Sequence, residues 1–162
     1  MRKSLLMGIM AVVLILSGCK DDAQECPYSD SAITVPAAEI TALEAYLATK
    51  GIANAVKDPR GFYYNIQTQG TGGTAGVCSQ ISIFYTGTLT NDVVFDGTSG
   101  APATFTLGEL IPGWVKGIPL IKAGGRIQLY LPPTLAYGNR TDISSIPPNS
   151  ILIFDIELLD VR

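Results

Sequence analysis

Apolar residues follow three rhythms along the chain. From Leu5 to Leu16 they form one uncharged block, and residues 19–35 are polar, with Pro27 inside and Pro36 just beyond. Between Ala37 and Val56 the positions Ile40, Leu43, Leu47, Ile52 and Val56 recur near helical spacing, with Glu39, Glu44 and Lys50 between them. That spacing predicts a helix. Thr34 or Pro36 would start it and Gly51 would end or interrupt it. Asp58-Pro59-Arg60-Gly61 is a turn signal. From Phe62 onward the period becomes two, predicting strands at Phe62–Ile66, Val77–Leu89, Val93–Phe95, Ala103–Leu107, Arg126–Leu131 and Ile151–Leu159. Thr90-Asn91-Asp92 reads as a hairpin turn, and Gly70 to Gly76 as a glycine-threonine loop. Pro112 to Ile121 reads as a short helix, with proline in the first turn where a missing N–H costs nothing.

Strands with one short helix among them predict an α+β domain, an antiparallel sheet wrapped around that helix and preceded by an N-terminal helical arm. The 162 residues hold one domain with a real core. The divisions are a signal at 1–18, a tether at 19–35, a helical arm at 36–60 and the domain at 61–162.

The first block is an export signal: Arg2 and Lys3, an apolar stretch, then the small residues Ser17 and Gly18. It is shorter than the roughly 20 residues of a membrane-spanning helix. Leu16-Ser17-Gly18-Cys19 resembles the bacterial lipobox, which implies cleavage before Cys19 and lipid attachment to it. The implied location is the bacterial cell envelope, on the outer membrane, facing periplasm or surface. Lys20-Asp21-Asp22 resembles the acidic signals that send some lipoproteins to the cell surface, and reads equally well as a solvated tether.

Loss of residues 1–18 removes two basic residues and no acid, leaving 9 Lys and Arg against 14 Asp and Glu, so the net charge goes from −3 to −5. An acidic chain without a basic run is a poor partner for nucleic acid. Cys26 and Cys78 remain, and an exported pair is a candidate disulfide between the N-terminal arm and the first long strand.

The chain has no histidine, which excludes Ser-His-Asp and Cys-His catalysis and His-ligated zinc. Two cysteines beyond Cys19 cannot make a four-sulfur site, so no metal and no cofactor are expected. Gly70-Thr71-Gly72-Gly73-Thr74-Ala75 fits a dinucleotide fingerprint only in spelling, because strand alternation follows it where a helix is required. Asp155 and Glu157, two apart on a strand, read as a solvated edge rather than an acid/base pair.

Seven strings in order then carry a resemblance: Phe84-Tyr85-Thr86-Gly87-Thr88-Leu89, Val94-Phe95-Asp96-Gly97-Thr98, Phe105-Thr106-Leu107-Gly108, Ile111-Pro112-Gly113-Trp114, Leu135-Ala136-Tyr137-Gly138, Ile146-Pro147-Pro148-Asn149 and Leu152 to Leu159. Together they resemble the FKBP-type peptidyl-prolyl cis-trans isomerases from about Gly61 to Arg162. The resemblance implies a strongly twisted sheet curled around one helix, with an apolar hollow between them. It implies Tyr85, Asp96, Trp114 and Tyr137 as catalytic residues, and Phe95, Ile111, Ile146 and Phe154 as substrate-binding ones. Trp114 would floor the hollow under the proline ring, while Tyr85, Phe95 and Phe154 would wall it. The Tyr137 hydroxyl and the Ile111 N–H would donate, Asp96 would orient its neighbours, and Ile146 would close one side. Implied partners are proline-containing peptides, unfolded exported proteins, macrolide inhibitors, and the membrane through the lipid.

Such residues suit amide rotation, which breaks no covalent bond and needs no nucleophile. The alternative reading is a non-catalytic prolyl-binding or chaperone module on the same anchor. Three departures stand out: Ala103 where the family often places a pocket aromatic, a short stretch from Gly108 to Trp114 that leaves Leu110 in doubt, and Asp142 where a histidine is common.

Overall fold

The computed structural model describes residues 26–162. The expected signal, lipid cysteine Cys19 and the tether as far as residue 25 lie outside the described residues.

Helix α1 spans Ala37–Thr49 and is followed by strands β1 (Val56–Lys57), β2 (Tyr63–Thr68), β3 (Gln80–Leu89), β4 (Val94–Gly97) and β5 (Ala103–Thr106). Helix α2 spans Pro112–Gly117, then come β6 (Gly125–Leu131) and β7 (Leu152–Val161). The sheet runs β1-β2-β6-β7-β3-β4, and β5 also pairs with β3. Every pairing is antiparallel. The α+β architecture expected from the strand pattern is therefore present.

Period two divides the sheet into two faces. Ile81 and Ile83 on β3, Ile127, Leu129 and Leu131 on β6, and Leu152, Phe154, Ile156 and Leu158 on β7 are buried together on the inner face. Helix α2 lies on that face. Its Gly113 and Gly117 stand one turn apart; a Cβ on Gly113 would overlap the Leu131 side chain, and one on Gly117 would lie 2.6 Å from that of Leu129. Only glycine allows the helix to come this close.

The outer face carries a second cluster. Leu43 and Leu47 of α1 pack on Tyr130 and Ile153, so α1 covers one part of the sheet from behind. Glu44 fastens it, accepting from Lys57 Nζ at 2.7 Å and the Tyr63 hydroxyl at 2.6 Å. The helix stops at Thr49, and Gly51 ends it as expected. Gly51 has φ 68°, the Gly51 N–H bonds Ala48 O, and the Ile52 N–H bonds Leu47 O. This is a Schellman stop, which satisfies the last carbonyls and turns the chain away. Val56 is instead a strand residue opposite Tyr64.

Two further expectations change. Asp155 and Glu157 do not sit on a sheet edge, because β7 is central, between β6 and β3. They lie on its outer face, where Asp155 takes a two-pronged bond from Arg126 at 2.7 and 3.0 Å. Residues 26–35, expected as tether, lie against the domain. Cys26 is bonded to Cys78, with Cα atoms 5.7 Å apart. Val35 is buried in the main core, and Lys116 Nζ on α2 bonds Asp30 and the Ser31 carbonyl.

If α1 is part of the folded body, Leu43→Ala costs about 2–5 kcal/mol, the range for a fully buried leucine. Urea denaturation checks it, and a change near zero would mean that α1 is a passive arm.

Candidate active site

The hollow lies between α2 and the inner face, and its residues come from several elements. β3 supplies Tyr85, β4 Asp96, β5 Phe105 and β7 Phe154, while the chain entering α2 supplies Leu110 and Ile111 and α2 itself Trp114. Tyr137 comes from the turn after β6. These eight residues line a cavity of about 130 Å³.

Trp114 is the hub. Its ring meets Tyr85 and Phe154 edge-to-face, both with centroids 5.1 Å apart, and Phe105 at 6.4 Å. Edge-to-face contact sets the positive rim of one ring on the negative face of another, which fixes geometry beyond mere burial. The indole is buried, and its Nε1–H has no hydrogen-bond partner among the described residues.

Polar groups enter at the rim. The Tyr85 hydroxyl donates to Asp96 Oδ2 at 2.8 Å, and the Gly97 N–H holds Oδ1 at 2.8 Å. Burial, helped by the Asp96 carboxylate, holds the Tyr85 hydroxyl well above the usual tyrosine range. Tyr137 is raised chiefly by burial, then by the charge of Asp96. Both are neutral donors at any physiological pH. The Ile111 carbonyl accepts from Trp114 and Val115 at the start of α2, while its own N–H makes no backbone bond among the described residues.

Of the expected residues, Tyr85, Asp96, Ile111, Trp114, Tyr137 and Phe154 meet around the hollow. Phe95 stands behind it, edge-on to Phe154 at 5.6 Å. Gly87 leaves room for that pair, since a Cβ there would lie 2.6 Å from the Phe95 ring. Ile146 is buried in the core and does not line the cavity. Phe105 and Leu110 line it without having been assigned. Phe105 shares a face with Ala103 two residues earlier, so β5 brings its aromatic from the next inward position. Asp142 is exposed and paired with Arg140 at 2.7 Å. A larger, shallower groove of about 390 Å³ runs over the outer face past Thr86, Arg126 and Asp155, where the main charges already neutralise each other.

No group of three or more His, Cys, Asp or Glu able to hold a metal occurs among the described residues. What the hollow offers is an apolar aromatic floor with neutral donors at one rim.

Residues 73–159 match the family model of FKBP-type peptidyl-prolyl cis-trans isomerases. The chain belongs to that family. A probable FKBP-type peptidyl-prolyl cis-trans isomerase of Haemophilus influenzae is 45% identical over 104 residues, covering 63% of this chain and 43% of the relative. The outer membrane protein MIP of Legionella longbeachae is 40% identical over 122 residues, 74% of this chain and 52% of the relative. Among solved structures, FkpA from Escherichia coli superposes with a TM-score of 0.69 at 36% identity, over 78% of this chain and 60% of that one. AtFKBP13 gives 0.60 at 35% identity, over 67% and 98%. This family member spans about half the length of the curated relatives it matches.

The raised Tyr85 hydroxyl makes a pH prediction. Its folded-state stabilisation is complete below the ordinary tyrosine value of 10.0 and is lost as pH rises above it. The wild type therefore loses stability faster than Tyr85→Phe above that pH. Urea midpoints of the two proteins measure this, and parallel curves would refute it.

Proposed function

We propose that the chain is a peptidyl-prolyl cis-trans isomerase that works on proline-containing segments of exported proteins at the bacterial envelope, held there by lipid on Cys19. The observation that carries the reading is the hollow itself, with Trp114 at its floor and the Tyr85–Asp96 pair and Tyr137 at its rim.

Rotation about an Xaa-Pro bond must break C–N resonance, a barrier of about 18–20 kcal/mol. Uncatalysed exchange takes roughly tens to hundreds of seconds. Halfway through the turn the amide has lost resonance and part of its polarity. An apolar hollow therefore suits it better than water does, while the planar ground state gains less. In this reading the proline ring lies over Trp114, with Tyr85, Phe105 and Phe154 around it. The free Ile111 N–H receives a substrate carbonyl and the Tyr137 hydroxyl a second acceptor. Asp96 moves no proton; it holds the Tyr85 ring in place and sets the field at the rim. Macrolide inhibitors, with a carbonyl beside an apolar ring, would compete for the same hollow.

The location rests on the lipobox-like Leu16 to Cys19 and on relatives such as the one named outer membrane protein MIP. The disulfide fits an oxidising compartment. Among the described residues no helix is long and apolar enough to cross a membrane.

The test is cis-to-trans conversion of short Xaa-Pro peptides by the purified protein. Trp114→Leu and Asp96→Val should each depress the rate. Tyr137→Phe should lower kcat/KM by about tenfold, less than the loss of an oxyanion-hole donor because less charge develops here. A folded protein that binds prolyl peptides without accelerating their conversion would be a binding module and would end the enzyme reading.

A further inference from the structure

A set of contacts joins residues 26–31 to residues 78–116, and none of those N-terminal residues lines the hollow. Cys26 is bonded to Cys78. Tyr28 covers Gly108 so closely that a Cβ there would lie 2.5 Å from the Tyr28 Cβ and Cγ. The Tyr28 hydroxyl donates to Glu109 Oε1 at 2.5 Å. Lys116 Nζ donates to the Asp30 carboxylate and, at 2.7 Å, to the Ser31 carbonyl. Gly108 and Glu109 lead directly into Leu110 and Ile111, and Lys116 is two residues from Trp114. Every contact after the disulfide thus grips the strip of chain that builds one side of the hollow.

Lys116 is 3% exposed. A buried ammonium needs a counter-charge and hydrogen bonds to stay where it is. Asp58 is also near, but both its oxygens are held by Arg60 at 2.8 Å. Asp30 is thus the carboxylate bonded to Lys116. Asp30 lies on a segment with no helix or strand of its own. The disulfide, four residues away, keeps that segment at high local concentration beside its targets.

We propose that residues 26–31 form a clasp that sets the shape of the hollow. Asp30 and Tyr28 are positioning residues acting through Lys116 and through Gly108–Glu109, and the Cys26–Cys78 bond keeps them seated. The family match begins at residue 73, so residues 26–31 lie outside it, while Cys78, Gly108, Glu109 and Lys116, which they hold, lie inside it. The activity readout rests on the isomerase reading above; the spectroscopic one does not.

Trp114 is the only tryptophan, so intrinsic fluorescence reports the hollow's floor alone. The full chain is compared with Asp30→Asn, Asp30→Glu, a Cys26→Ser/Cys78→Ser double variant and Leu47→Ala. The last weakens the outer cluster, on the opposite face of the sheet from the hollow, and serves as a stability control. At a temperature where circular dichroism shows all five folded, Asp30→Asn and the double cysteine variant should lower kcat/KM by about tenfold, within the range for residues acting through a packed network. Both should shift Trp114 emission and raise its quenching by acrylamide. Asp30→Glu should recover most of each effect, and Leu47→Ala should change neither. Emission, quenching and kcat/KM that stay at wild-type values, or that move equally in Leu47→Ala, would overturn the clasp. Should Asp30→Asn fail to fold, the double cysteine variant, which keeps Tyr28, Asp30 and their partners and removes only the bond that seats them, decides alone. Should the wild type isomerise nothing, the functional reading fails, and emission and quenching still decide the clasp.

Discussion

The close approach of α2 to β6 is the constraint on which the site depends. A helix of six residues has almost no stability of its own, because nucleation is not repaid over so short a run. Tertiary contacts must hold it, and its sequence divides the circumference among them. At 3.6 residues per turn, Gly113 and Gly117 share one face and settle onto Leu131 and Leu129. Trp114, one residue on from Gly113, projects about 100° away into the hollow. Lys116, two residues beyond Trp114, points to roughly the opposite side, where Asp30 meets it. Three neighbours thus fix one short rod. Any added side chain at the glycines would lift the rod and carry the hollow's floor away from its walls.

What the rod supports is a set of rings that can hardly move independently. Trp114 is clamped edge-to-face by Tyr85 and Phe154, and Phe154 is clamped in turn by Phe95. Phe95 therefore serves the site from behind, by fixing the wall that a substrate touches. Tyr85 is held at its other end by Asp96. An arrangement fixed before substrate arrives does not have to reorganise when the amide twists, which is where preorganised sites gain most. Asp96 is exposed at the rim, where the Tyr85 hydroxyl and the Gly97 N–H hold its carboxylate, so its charge stays at the edge and the floor over Trp114 is apolar.

The sheet, the short helix and six of the hollow's residues were legible because they depend on local rhythm and on strings that keep their spacing. Period two showed the inner face of β3, β6 and β7. The strings around Tyr85, Asp96 and Trp114 showed which inward residues belong together. Phe105 stood in a string too, but the position where an aromatic is commoner is Ala103, two residues earlier with the same orientation, and that masked its neighbour. Ile146 precedes two prolines and looks like a loop residue at a rim; tertiary packing drew it into the core. The polar stretch 26–35 read as tether because nothing local tells a strap from a tether. Its partners Glu109 and Lys116 lie 81 and 86 residues downstream, beyond any window of periodicity. Only the paired cysteines hinted at it.

The two ends of the hollow are braced in different ways. On the Tyr137 side, Glu39 of α1 accepts from both the N–H and the hydroxyl of Thr134, at 2.9 and 2.7 Å, just ahead of the turn that presents Tyr137. On the α2 side the docked segment does the corresponding work, and its docking changes the mechanics of attachment. A free stretch from Cys19 to residue 35 would let the domain roam widely. With Cys26 bonded to the domain, seven peptide steps separate it from the proposed lipid on Cys19. At about 3.3–3.6 Å per residue they span at most ~25 Å even when fully stretched. An anchored molecule would then hold the Cys26 side of its domain close to the membrane surface. Segments in the first layer above that surface would meet its hollow at high local concentration, and the bond that seats the clasp would also be the bond that sets its height.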